Sequence, residues 1–139
     1  MQQEKFSGQA LCEDLMHRMC AAIYGGARRQ VNLLRYGAKT PVEADMGRHI
    51  LALTSVQLTE QQLDALEAAF RQTQEHLLGG LFALIDGSAQ PPGWPDEIRL
   101  VNMDTGEVIC PEGLQWAFGM ALAEYRAQQE QERKSADQA

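Results

Sequence analysis

The chain has 139 residues, 45% of them apolar and 22% charged, and a net charge of −7. A chain of this length buries enough surface to fold as one domain without a disulfide or a metal. Its acidity argues against a general nucleic-acid binder, and no apolar run approaches the roughly 20 residues that cross a bilayer.

The acid is unevenly placed. Residues 1–70 carry seven basic and eight acidic groups, whereas residues 71–139 carry five basic and eleven acidic. Between Leu15 and Arg48 the balance reverses, with six basic residues against two acidic. Cys12, Cys20 and Cys110 are odd in number and not closely spaced. The start, Met1-Gln2-Gln3-Glu4-Lys5, lacks a charged-then-apolar leader. Together these features predict reduced thiols in a cytoplasm.

In chain order, the first predicted element is a helix from about Gln9 to Tyr24, with Ser7 as N-cap. Leu11, Leu15, Met19 and Ile23 recur every four residues, and Cys12, Met16 and Cys20 form the adjoining row. Gly25-Gly26 is expected to end or kink it. A short helix over 27–36 follows, with Gly37 as C-cap. Thr40-Pro41-Val42-Glu43 reads as a capping box with proline in the first turn. It predicts a helix to about Leu53 that buries Val42, Met46, Ile50 and Leu53. Thr59 and Gln62 form a second capping box, opening a long helix that ends at Asp86-Gly87-Ser88. Leu77, Leu81, Phe82, Leu84 and Ile85 occupy most of its last turns and are expected to be buried. Gly79-Gly80 either admits a close neighbour or divides the segment in two.

Three prolines around Trp94 exclude regular structure over 89–96. The β-rich runs 98–101 and 107–110 flank Asn102-Met103-Asp104-Thr105-Gly106 and read as a hairpin over about 98–110, with Gly106 at positive φ. A last helix from Leu114 to about Ala127 buries Leu114, Phe118, Ala121, Leu122 and Tyr125. Residues 128–139 read as a polar, disordered tail on a single globular domain of 1–127. The fold class is α+β and predominantly helical: four to five helices packed with one hairpin.

Candidate chemistry is sparse. Asp104-Thr105-Gly106 resembles the tripeptide around the catalytic carboxylate of retroviral-type aspartic proteases. That reaction needs two carboxylates sharing a proton, and an Asp-x-Gly turn is ordinary hairpin chemistry. Cys12, His17 and Cys20 share one helix, but no second ligand pair follows at zinc spacing, so no metal is expected. No glycine-rich loop has the strand-before, helix-after setting of a phosphate cradle, so no cofactor is expected.

The reading that remains is a small acidic cytoplasmic protein-binding module. Its overall character is similar to that of immunity proteins that block toxins, in composition and not through any motif. The expected partner is another protein with a basic surface, met by Trp94, Asp96, Glu97, Asp104, Glu107 and Glu112. One alternative is a nucleic-acid-associated regulator using Arg28, Arg29, Arg35, Lys39 and Arg48. A second is an enzyme with a site near His76, Asp86 and Asp104. The sequence leaves open a homodimer.

Overall fold

The structure is a computed structural model that describes residues 7–95 and 98–139. In chain order the helices are α1 (Gly8–Tyr36), α2 (Pro41–Met46), α3 (Arg48–Leu51), α4 (Glu60–Asp86) and α5 (Leu114–Asp137). A 3-10 turn over Ala52–Ser55 follows α3. Strands β1 (Leu100–Val101) and β2 (Val108–Ile109) stand between α4 and α5. The architecture is therefore α+β, helix-dominated, with one hairpin. No helix among the described residues is long and apolar enough to cross a membrane.

α1 begins where Ser7 Oγ accepts from the Ala10 N–H at 3.2 Å. It passes through Gly25-Gly26 without a break and ends at Gly37, whose φ is +74°. The two glycines cost about 1 kcal/mol each against alanine. Ile23, Tyr24 and Val31 beside them are buried, and each large apolar side chain so placed stabilises by about 1.5–3 kcal/mol. Burial outweighs propensity, so the two expected helices are one. The fully packed row is Cys12, Met16, Cys20, Ile23, Ala27 and Val31, while Leu11, Leu15 and Met19 are half-buried.

The chain divides into two compact units, Met1–Cys20 with Leu77–Ala139, and Ala21–His76. α1 and α4 each run through both. In the Ala21–His76 unit, Ile23, Tyr24, Ala27, Val31 and Leu63 form the core. Arg71 lies over the Tyr24 ring at 4.8 Å and pairs with the buried Glu75 at 3.8 Å.

The helix expected over 40–53 is interrupted. Thr40 caps it as anticipated, accepting from the Glu43 N–H at 3.1 Å. The Glu43 carboxylate, however, accepts from the Lys39 N–H rather than from Thr40. α2 stops at Met46, and Val42, Met46 and Leu53 are exposed rather than buried. The physical reason is Gly47. It is the buried residue of this segment, and a Cβ there would collide with Leu33 Cδ1 and lie 2.9 Å from Glu43 O. Backbone packs against α1 at this point, and the apolar side chains on either side turn outward.

α4 is one helix, opened by the expected reciprocal capping box. The Thr59 N–H donates to Gln62 Oε1 at 2.9 Å and the Gln62 N–H to Thr59 Oγ1 at 3.2 Å. Its last turns do not bury their whole circumference. Phe82 and Ala83 are buried, Leu84 and Ile85 are half-buried, and Leu77 and Leu81 are 72% and 47% exposed. A helix packed on one side needs only one apolar stripe, and here that stripe is centred on Phe82, which meets Phe118 edge-on at 5.4 Å. Nor do Gly79 and Gly80 admit a close neighbour: a Cβ on either would meet nothing within 4 Å. Gly80→Ala is accordingly expected to stabilise the fold by about 0.5–1 kcal/mol through the lost glycine entropy. A rise in thermal midpoint checks this, and a fall would reveal a contact at that face.

The hairpin pairs Leu100 with Ile109 and Val101 with Val108 in antiparallel register. Its strands are two residues long, shorter than the four-residue runs that flank the turn in sequence. Gly106 has φ +75° as expected. The Asn102 side chain accepts from the Asp104 N–H at 3.0 Å, which settles the Asp-Thr-Gly segment into the turn.

α5 opens on Gly113, which has no capping side chain. Asp86, at the end of α4, supplies the cap from 28 residues upstream. Its Oδ1 accepts from the Leu114 N–H at 2.9 Å and its Oδ2 from the Gln115 N–H at 2.6 Å. A carboxylate on the first free N–H groups of a helix is favoured by hydrogen bonding and by the helix dipole. Asp86→Ala should cost about 1–2 kcal/mol, read as a lower urea midpoint; an unchanged midpoint would show that α5 does not depend on this cap. α5 also passes Ala127 without interruption and ends at Asp137. Helical-spacing pairs support the extension, notably Lys134 with Glu130 at 2.8 Å and Gln128 with Glu132 at 3.4 Å. The Lys134 hydrogen bond and charge hold the Glu130 carboxyl below its usual value.

A candidate binding groove

The expectation of three reduced thiols does not hold. Cys12 and Cys110 form a disulfide across 98 residues, with their Cα atoms 5.1 Å apart. Cys20 is fully buried in the α1 packing row. Three cysteines allow three pairings, and spacing alone does not choose among them. The case for a cytoplasm that rested on reduced thiols loses its basis, since disulfides persist mainly in oxidising surroundings.

The bond fixes one wall of a groove of about 400 Å³ within the Met1–Cys20 and Leu77–Ala139 unit. The N-terminal half of α1 contributes Gln9, Cys12, Glu13, Met16 and His17. The segment Cys110–Gly113 closes the side where the disulfide attaches. α5 contributes Trp116, Ala117, Met120, Ala121, Glu124, Tyr125 and Gln128. On each helix these positions recur every three or four residues, so each wall is one helical stripe.

Two backbone features hold the walls. The Gly8 N–H, at the start of α1, donates to Glu107 Oε2 at 3.0 Å. A Cβ at Gly8 would lie 2.8 Å from Val108 O, so glycine lets α1 approach β2 this closely. Cys110 follows β2 with φ +55°, a left-handed backbone turn at a non-glycine residue. That turn directs the chain from the hairpin toward α5.

Chemically the groove is apolar at its base and acidic at its margin. Met16 is 1% exposed, whereas Trp116 and Met120 are 56% and 48% exposed. His17 and Tyr125 stack in a tilted contact at 5.7 Å. Glu13, Glu112 and Glu124 are exposed carboxylates on the lining. Gln9 Nε2 donates to Glu13 Oε1 at 2.9 Å. No lysine or arginine stands among the described lining residues.

Of the described residues among those expected from sequence to face a partner, only Glu112 lies in this groove. Trp94 is 45% exposed in its proline loop and is not a lining residue. Asp104 sits at the hairpin tip, and Glu107 is engaged with the start of α1. Asp96 and Glu97 lie outside the described residues. The sequence reading missed Glu13, Trp116, Met120 and Glu124. A signal existed in α5: Trp116 and Met120 fall off the buried Leu114, Phe118, Leu122 stripe and form a second one.

The basic residues of the nucleic-acid alternative lie in the other unit. Arg35 pairs with Glu60 at 3.1 Å, Asp64 at 2.9 Å and Glu67 at 3.8 Å. Burial disfavours its charge, but these carboxylates, led by the Glu60 hydrogen bond, raise its pKa above the usual value. Arg28 lies 3.6 Å from Glu67. Arg29, Lys39 and Arg48 are exposed. The three groups of the enzyme alternative are dispersed in role: Asp86 caps α5, Asp104 is in the hairpin turn, and His76 is an exposed residue of the Ala21–His76 unit.

A second cavity, of about 580 Å³, is lined by Asp86, Arg99 and the Cys110–Trp116 segment, among others. Two of its polar groups already have partners, because Asp86 caps α5 and Arg99 Nη1 donates to Pro111 O at 3.0 Å. No protein-family model matches the chain, and no curated protein or solved structure matches it.

Proposed function

We propose that this protein is a binding module that acts by contact with a second protein bearing a basic surface, in the manner of an inhibitor or immunity protein. The observation that carries the reading is the groove between α1 and α5. It exposes a tryptophan and a methionine and is margined by three carboxylates with no described cation among its lining residues. Exposed Trp at the centre of a contact is a common energetic anchor, and acidic margins steer and orient basic partners. The nucleic-acid alternative is weaker on the same grounds, since phosphates are repelled by these margins and Arg35 already answers three carboxylates.

The test compares the wild-type protein, Trp116→Ala and Trp94→Ala as baits for a partner, which is then purified and titrated. Trp116→Ala should weaken the complex by about 2 kcal/mol, while Trp94→Ala should leave it near wild type. Binding should also weaken as salt rises. Equal affinity of wild type and Trp116→Ala would remove the groove from the interface. Turnover of a small molecule lost on mutating His76, Asp86 or Asp104 would overturn the binding-module reading.

A further inference from the structure

We infer that the groove receives an amphipathic helix of the partner, one carrying lysines or arginines beside an apolar stripe. The inference rests on the binding-module reading and narrows it to a recognition mode.

The walls are stripes on two helices, Gln9 to His17 on α1 and Trp116 to Gln128 on α5. Twelve residues of helix rise about 18 Å, so the α5 wall extends over more than three turns. A trough between two helices presents ridges at helical spacing, which a third helix fills by seating its own ridges between them. Ala117 and Ala121 are small lining residues, and Trp116 and Met120 beside them expose apolar surface. Methionine adapts its shape to a facing apolar side chain, and an apolar helix face laid into such a trough is a recurring mode of peptide recognition.

The charge of the margins sets the chemistry of the occupant. Glu13 stands on the α1 wall, Glu124 on the α5 wall and Glu112 on the loop that precedes α5. A helix seated on the floor would carry its flanking side chains to these margins, where cations are attracted and anions repelled. Long Lys and Arg stems can also lie along Trp116 while their heads reach the carboxylates.

The experiment is calorimetric titration of the full, disulfide-bonded chain with four probes, three of them synthetic 18-residue peptides. They are a Leu/Lys peptide patterned as an amphipathic helix, the same composition scrambled to remove the apolar face, a Leu/Glu peptide with the helical pattern, and a small alkylammonium salt. The patterned Leu/Lys peptide should bind at least tenfold more tightly than each of the others. Glu13→Gln/Glu124→Gln and Trp116→Ala should each weaken it about tenfold or more. Equal binding of patterned and scrambled Leu/Lys peptides, both lost in Trp116→Ala, would overturn the helical mode and leave the basic-partner reading standing. Groove-dependent binding of the alkylammonium salt alone would replace the helix with a small organic cation. Binding unaffected by the groove variants would sink both the helical mode and the groove as the site. Self-association that is lost in Trp116→Ala and excludes the peptide would assign the groove to a second copy and overturn the inference.

Discussion

Breaking the Cys12–Cys110 bond is expected to be the most damaging single change to this protein. The bond closes a chain separation of 98 residues. In the chain-entropy account, a loop of roughly 100 residues corresponds to about 4.7 kcal/mol, and measured losses on removing native disulfides run at about 2–5 kcal/mol. Stability of a whole domain is only about 5–15 kcal/mol, so the loss would be a large share. Both cysteines are buried, and both line the groove, so binding should fall together with stability. The measurement is urea unfolding of the wild-type protein with and without excess dithiol, alongside Cys12→Ala/Cys110→Ala. The midpoint should fall on reduction, and the double variant should be low and indifferent to dithiol. A wild-type midpoint that does not respond to dithiol would show that the bond is absent in solution.

Phe118→Ala is expected to cost about 3–5 kcal/mol, the range for deleting a buried aromatic side chain. Phe118 is 3% exposed, and its ring meets the buried Phe82 edge-on at 5.4 Å. That aromatic pair adds about 0.5–1.5 kcal/mol beyond burial. Leu81→Ala is the informative comparison. Leu81 is 47% exposed, so truncating it should cost about 1 kcal/mol or less, although the sequence pattern alone places it in the core. Equilibrium denaturation of both variants separates the two positions. Equal losses would mean that the packing of α4 on α5 is not centred on Phe82.

The difference between these two residues shows where sequence reasoning stops. Local signals were legible because their causes are local. The Thr59/Gln62 capping box, the Thr40 cap and the Gly106 turn each depend on residues within a few positions of one another. The amphipathic rows of α1 and α5 were legible too, since helical spacing determines which residues share a face. The pattern does not state which face meets a neighbour. Leu77 and Leu81 look like core because they are apolar, yet the Phe82 face does the packing.

Long-range features were illegible for the same reason. The Asp86 carboxylate caps a helix 28 residues downstream, and from sequence it read only as a helix stop or a catalytic candidate. Cys110 meets Cys12 near the point where Gly8 lets α1 approach β2. Gly47 breaks a predicted helix because its backbone meets Leu33 from another element. The groove was illegible for the same reason. Its carboxylates come from α1, the loop before α5, and α5 itself, and no window of sequence contains them together.

If the α1/α5 groove is the contact surface for a basic partner, Trp116 should report its occupation. The most direct measurement is the emission of Trp116 in a Trp94→Phe background, where Trp116 is the single remaining tryptophan. Emission and acrylamide quenching are followed while the patterned Leu/Lys peptide is added at low and moderate salt. A blue shift and protection from quenching are expected that saturate with binding, weaken with salt, and need about tenfold more peptide or greater in Glu13→Gln/Glu124→Gln. A Trp116 signal that stays unchanged while calorimetry reports saturated binding would contradict the groove as the contact surface.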